Sequence, residues 1–325
     1  MGFTNYCLKN GGIIKPLTIP FEYTKGTGLF NPSVFVDEEE NILVNIRHCQ
    51  YTLYHSEKGN YEHIWGPLIY LNPENDISLT TTNFFCKLDS ELNIEEFHQV
   101  DTSELDEKPL WEFVGLEDSR IVKWDGKYFL CGVRRDTTRN GVGRMELSEL
   151  KYVSEKVKEI SRQRIPAPGK DDTYCEKNWM PILDQPYHYV KWSNPVEIVK
   201  YNPADKTCKT TFLGEYDESI NIPLRGGSQV IPYKDGYLAI HHITHLFKSK
   251  QDRKNATYRH QFTYWDKNWK VIKRSKIFDF MGAEIEFACG MAKYNKDYII
   301  TFGFQDNAAF ALKISEDALE NFIND

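Results

Sequence analysis

The 325-residue chain has no apolar run close to the ~18 residues that a membrane-spanning helix needs, and its N-terminus lacks the charged-then-apolar layout of a signal peptide. These two absences lead to the expectation of a cytoplasmic protein with no membrane span. Basic charge is not in excess either: 40 Lys and Arg face 47 Asp and Glu, a formal net charge of -7. A general nucleic-acid binder needs a basic footprint, so nucleic acid is set aside as a partner. Cysteine pairs are missing. Cys7, Cys49, Cys86, Cys131, Cys175, Cys208 and Cys289 are odd in number, scattered, and never in CxxC spacing. They read as reduced thiols, mostly in strand cores, with no zinc knuckle. No metal site is expected, and no cofactor.

Aromatic residues, by contrast, are plentiful: 19 Tyr, 19 Phe and 7 Trp make up 14% of the chain, which favours strands. In a cleft, such rings also suit sugars or bases. The stretch Val114-Gly115-Leu116-Glu117-Asp118-Ser119-Arg120 places two adjacent carboxylates and an arginine just before a strand–turn–strand pattern. In that pattern Asp125-Gly126 separates two apolar runs, a strong hairpin signal. The carboxylates therefore sit at the mouth of a hairpin. A plainer reading makes Asp118 and Arg120 one exposed ion pair at a strand end, worth little.

The same layout recurs. Phe30–Val36 and Ile42–Arg47 flank a polar turn, as do Gln229–Tyr233 and Tyr237–His242, and again Cys289–Tyr294 and Tyr298–Asp306. Each copy has a polar or glycine-bearing loop, an apolar strand, a turn, a second apolar strand, and a polar residue where that strand ends. Self-similar β units of this kind indicate radial repetition. The expected fold is all-β: a single five-bladed β-propeller domain over 1–325. Between 52 and 112 the alternation continues, with breaks at Gly66-Pro67, Asn72-Pro73 and Pro109. The charged segment 151–172 reads as an inserted short helix or flap, and a serine-capped helix closes the C-terminus.

In a propeller the opening loops of the inner strands converge on a central channel. This brings together Asn31, Glu117, Asp118, Lys177, Asn178, the Gly226–Gln229 loop and the Glu284–Gly290 loop, with Arg47, Arg134, His241, His242 and Asp306 ringing the same depression. Arg134, Arg135, Arg139 and Arg144 fall within eleven residues, as a solvated face or a phosphate site requires. His241 and His242 alternate across a strand, so the two cannot share a metal.

At these residues the chain resembles glycoside hydrolase family 130, the β-mannoside phosphorylases and hydrolases, with their mannosyltransferase relatives. Gly-Leu-Glu117-Asp118-Ser-Arg120 is similar to that family's Gly-x-Glu-Asp-Pro-Arg motif. Asn31-Pro32 with Arg47, the Gly226–His242 stretch, and Phe287–Gly290 through Phe302–Asp306 resemble three further elements in the same order. The resemblance spans roughly Phe30 to Leu312. It departs from the family at Ser119, where the family has proline, at Gln229-Val230, where two prolines are common, and over 137–175.

The resemblance implies a five-bladed propeller that breaks or makes a glycosidic bond with inversion, on a β-mannoside or related hexoside. Asp118 would be the general acid, its proton reaching the glycosidic oxygen through a hydroxyl of the bound sugar. Asn31, Arg47, Lys177 and Asp306 would hold the sugar, and Arg120, Asn178 and Gln229 join them as substrate-binding candidates. Arg134, Arg135 and His242 would hold phosphate. Physical chemistry separates the options that remain. Inverting hydrolysis needs a second carboxylate as base, for which Glu284 and Glu286 are candidates. Phosphorolysis needs cations instead. A transferase using a nucleotide sugar needs cations and a base-stacking aromatic such as Trp179, and a non-catalytic sugar-binding propeller would use the same pocket. The acid must stay protonated near neutral pH, which Glu117 would favour by like-charge coupling. A sugar or oligosaccharide and inorganic or sugar phosphate are the expected partners, and a homo-oligomer stays open.

Overall fold

A computed structural model describes residues 2–55, 68–71, 78–153, 156–169, 175–218, 220, 222–248 and 254–325. The breaks read at Gly66-Pro67 and Asn72-Pro73 lie outside them, as do 154–155 and 170–172 of the charged segment.

The described residues form a five-bladed β-propeller. Blade one runs outward through Leu29–Val36, Ile42–Cys49, Leu79–Leu88 and Ile94–Gln99. Blade two uses Leu116–Trp124, Lys127–Arg134, Arg144–Val153 and Lys156–Arg164. Blade three uses Met180–Pro181, His188–Ser193, Val196–Asn202 and Thr207–Leu213. In blade four Leu224–Arg225 and Ile231–Tyr233 pair with Gly236–Lys248, followed by Lys254–Asp266 and Val271–Arg274. Blade five is Glu286–Tyr294, Asp297–Phe304 and Ala308–Ser315, completed on its outer edge by the N-terminal strand Ile13–Leu17. That strand joins the two ends of the chain in one sheet and locks the ring.

The inner strands are buried along most of their length because both faces are covered. Val34, Ile121, Ile182, Val230 and Ala288 are all buried where neighbouring blades meet. Cys49, Cys86, Cys131 and Cys289 are buried strand residues, and every described cysteine is unpaired. The C-terminal helix Glu316–Asn324 begins at Ser315, whose Oγ accepts a hydrogen bond from Ala318 N. Its Leu319, Phe322 and Ile323 join Phe3, Phe278 and Phe280 in one core cluster. Among the described residues no helix is long and apolar enough to cross a membrane.

One expectation is overturned. The described part of 151–172 forms no helix: 151–153 and 156–164 belong to the outer hairpin of blade two, built from Arg144–Val153 and Lys156–Arg164. The outermost strand, whose far edge Asp101 bridges at Lys158, carries Lys156, Lys158, Glu159, Arg162 and Arg164, and this charge density imitates a polar helix in sequence.

Candidate functional site

The channel mouth holds a cavity of about 370 Å³ lined by Asn31, Arg47, Asp118, Lys177, Asn178, Arg225, His242, Tyr258, Phe287 and Asp306, among others. How the side chains reach it is a matter of backbone. Asn31, Asp118, Asn178 and Asp306 all adopt left-handed conformations, at φ of 47°, 46°, 59° and 50°. Asn and Asp tolerate this region better than other residues with a Cβ. Three of the four open an inner strand, and the left-handed residue breaks the alternation so that its side chain turns into the channel. The pairing register shifts beside Asn31, between Phe30 and Ser33, and opposite Asp118, at Gly132. Gly303 makes room at the rim, since a Cβ there would lie 2.0 Å from Asn31 Oδ1.

Asp118 is the centre of this arrangement. Asn31 Nδ2 donates to its Oδ1 at 2.7 Å and Arg47 Nη1 donates to the same oxygen at 2.9 Å. Asp118 lines the cavity, and its Oδ2 has no hydrogen-bond partner among the described residues. Although burial alone would raise the Asp118 pKa, the charge of Arg47 and the Asn31 hydrogen bond hold it below the ordinary carboxylate value. The expectation that Glu117 keeps Asp118 protonated is thereby corrected. Glu117 lies between Arg47 (3.9 Å) and Arg135 (3.5 Å), so its charge is answered by two guanidinium groups. The raised carboxyl is Asp306, pushed up to about 6 by burial and then by the charge of Asp118.

Lys177, Arg225 and His242 line the same cavity. Neither Lys177 nor Arg225 has a carboxylate within ion-pair distance among the described residues. Loss of hydration, and next the charge of Arg135, pull the Lys177 ammonium pKa down. Burial and the neighbouring His260 lower the His242 pKa, so the ring is neutral. Its Nδ1 lies 2.7 Å from the Gly226 carbonyl oxygen, which can only accept, so Nδ1 carries the proton and Nε2 has the free lone pair.

The structure brings Asn31, Arg47, Asp118, Lys177, Asn178, His242 and Asp306 together on one cavity, and Glu117 behind it. Other residues expected there are elsewhere. Glu286 is fully buried, and its carboxylate accepts from Phe280 N (2.6 Å), Met281 N (2.8 Å) and Ala283 N (3.0 Å), so it folds a loop and has no oxygen free to serve as a base. Trp179 is buried against Tyr189 and donates to Glu176 Oε2 at 3.0 Å, leaving no face for a base to stack on. Arg134 is sealed between Glu146 (2.9 Å) and Asp136 (3.3 Å), and Arg135 turns to Glu117 and to the Gly141 carbonyl (3.0 Å), so neither lines the cavity.

Arg120 and Gln229 are interior pins. Arg120 donates to Gly227 O at 2.9 and 2.7 Å, to Asp118 O at 2.6 Å and to Asn178 Oδ1 at 3.3 Å, tying blade two to blades three and four behind the site. Gln229 Nε2 donates to Val34 O (2.8 Å) and Ile121 O (2.9 Å) while its Oε1 accepts from Met291 N (3.2 Å). Ser119 does similar work, accepting from Asn45 Nδ2 at 2.9 Å. The two positions that depart from the proline pattern thus make buried polar contacts that proline could not make. Arg225, Tyr258, Thr244 and Phe287 line the cavity without having been named individually as site residues. Phe287 opens the Phe287–Gly290 element and Arg225 precedes the Gly226–Gln229 loop, whereas Tyr258 arrives from Lys254–Asp266, a strand outside the repeat pattern.

No protein-family model matches the chain, and no curated protein matches it in sequence. Solved structures do. β-1,2-Mannobiose phosphorylase from Listeria innocua, in complex with β-1,2-mannobiose, aligns over 96% of this chain and 97% of its own with a TM-score of 0.53 and 14% identity. A structure reported for the GH130 mannoside phosphorylases, among them hydrolases that target β-1,2 mannosidic linkages in Candida mannan, aligns over 90% and 85% with a TM-score of 0.58 and 14% identity. MPT-4, a mannose phosphorylase from Leishmania mexicana in complex with a phosphate ion, aligns over 98% and 93% with a TM-score of 0.53 and 9% identity. The fold is that of the family 130 propellers. The alignments cover 90–98% of this chain and 85–97% of the others.

Proposed function

We propose that the chain is a glycoside phosphorylase that cleaves, and in reverse forms, a β-mannosidic or related hexosidic bond with inversion. One observation carries this reading: the cavity sets a single poised carboxylate, Asp118, against two cations, Lys177 and Arg225, that have no carboxylate of their own among the described residues. Asn31, Arg47 and Asp306 would hold hydroxyls of the sugar, and Phe287 and Tyr258 would cover its apolar faces. In the cleaving direction Asp118 Oδ2 gives up the proton that reaches the glycosidic oxygen, and a phosphate oxygen attacks the anomeric carbon from the other side. Lys177 and Arg225 balance the phosphate charge, and the free Nε2 of His242 accepts from a protonated phosphate oxygen. In the forming direction an ionised Asp118 takes the proton of the acceptor hydroxyl, and its lowered pKa supplies that form in the empty site.

Hydrolysis is the weaker reading because it needs a base to activate water. Glu286 is fully engaged by backbone N–H groups, and the carboxylate besides Asp118 that lines the cavity is Asp306. The reading is tested in the forming direction. With an α-sugar 1-phosphate and a hexose acceptor, wild-type protein should release inorganic phosphate, and Asp118→Asn should not. No phosphate release across a panel of sugar 1-phosphates would remove the reading.

A further inference from the structure

A propeller presents one outer strand edge per blade, and four of the five edges here are protected. Blade one ends in Ile94–Gln99, which carries Glu95 and Glu96. Blade two ends in the charged strand Lys156–Arg164, bridged by Asp101. Blade four ends in the four residues Val271–Arg274, against which the C-terminal helix packs, with Lys273 Nζ donating to Asn324 O at 2.9 Å. Blade five ends in Ile13–Leu17, where Pro16 has no N–H to offer and the helix Phe3–Lys9 lies alongside. Charge, shortness, proline and cover all keep a sheet edge from pairing with another chain.

Blade three is the exception. Its outermost strand, Thr207–Leu213, has seven residues with one charge, no proline and three β-branched threonines. No backbone hydrogen bond reaches its outer side from any described residue. Leu213, at its end, is 65% exposed. A bulge at Thr211 does not set this edge apart, since the outer strands of blades one, two and four are bulged as well.

The charges around the edge select its occupant. Lys206 and Lys209 stand at its start, and Glu215 and Glu218 lie just beyond its end. None of these four has an opposite charge within ion-pair distance among the described residues. Asp205, in the preceding turn, is already engaged by Thr207 N (2.9 Å) and Thr207 Oγ1 (2.6 Å). The edge therefore runs from basic to acidic, and a strand of the same polarity running the other way complements it. A second copy presents that strand across a two-fold axis. We propose that the free edge of blade three pairs antiparallel with the same edge of a second copy, about an axis near Thr210, to form a homodimer. Lys206 and Lys209 of each copy then face the Leu213–Glu215 end of the other. Each Leu213 packs on the threonine methyls where the other strand begins. A strand pair by itself buries little surface, so the dimer forms at micromolar concentration and dissociates on dilution.

Sedimentation velocity and amide hydrogen exchange over a dilution series test this. Wild-type protein should move from the mass of one chain toward two as concentration rises, with amides of 207–213 gaining protection in parallel. Lys206→Glu combined with Lys209→Glu sets acid against acid and should weaken association about tenfold or more. Adding Glu215→Lys and Glu218→Lys restores the opposite polarities and should bring the dimer back. Far-ultraviolet spectra matching wild type keep a folding defect from passing for lost association. A chain that stays monomeric to high micromolar concentration would overturn the proposal. So would a dimer whose 207–213 amides exchange as in the monomer, or one indifferent to the double substitution. Weakening that the fourfold variant fails to reverse would also overturn it.

Discussion

Two groups of cations in this molecule differ in structure in the opposite sense to their prominence in sequence. The arginines of blade two, Arg134 foremost, sit in a dense basic stretch next to the Glu117-Asp118 motif, whereas Lys177 and Arg225 are isolated cations, one before and one within a short strand. Yet Arg134 is 4% exposed and closed between Glu146 and Asp136, while Lys177 and Arg225 face a cavity with no carboxylate within ion-pair distance among the described residues. Density of charge along the chain says nothing about whether the charge is already answered. A paired cation holds a fold together, and an unanswered one on a cavity wall is available to an anion.

The largest effect that would sharpen this contrast is on stability. Arg134→Ala strands Glu146 and Asp136 in the interior and should cost about 3–5 kcal/mol, measured by denaturant unfolding. A loss below about 1 kcal/mol would show that the cluster is not closed. Next comes catalysis. Asp118→Asn keeps the shape and the Asn31 and Arg47 neighbours but removes the titrating oxygen, so turnover should fall at least ~100-fold while sugar binding persists. Near-normal turnover would assign the proton elsewhere, with Asp306 the other carboxylate on the cavity. Third, Arg225→Ala should lower kcat/KM for phosphate by about 1–3 kcal/mol, roughly 5- to 150-fold, with unfolding stability nearly unchanged. The opposite pattern, stability lost and phosphate use kept, would place Arg225 with Arg134.

The smallest effect is a pH dependence. Asp306 is a carboxyl raised to about 6, so the fold favours its protonated form. Its contribution to stability is complete below the unfolded value near 3.8 and is lost as pH rises through about 6. Wild-type melting temperature should therefore fall relative to Asp306→Asn over that window. Parallel curves for the two proteins would show that Asp306 is solvated and ionised like an ordinary carboxylate.

Much of the fold was legible because propeller blades repeat. The apolar strands flanking Asp37–Asn41, Asp125-Gly126, Asp235-Gly236 and Asn295–Lys296 announce themselves by alternation and turn chemistry. Blade closure then predicts which loops meet, which is why Asn31, Asp118, Lys177 and Asp306 could be grouped without coordinates. What sequence could not give is which polar side chains a buried interface consumes. Gln229 and Arg120 sit at converging positions and spend their donors on carbonyls of neighbouring blades, and Glu286 spends its carboxylate on backbone N–H groups. These bonds depend on the close approach of strands far apart in the chain. The misread outer hairpin of blade two has a local cause: an edge strand protected by lysine and glutamate loses the apolar alternation that marks a strand.

The most direct measurement follows the fate of a β-mannoside with and without inorganic phosphate, using phosphorus and proton NMR. A new sugar 1-phosphate of α configuration should form only with phosphate present, more slowly in Arg225→Ala, and not at all in Asp118→Asn. Release of free sugar at the same rate with and without phosphate would contradict phosphorolysis.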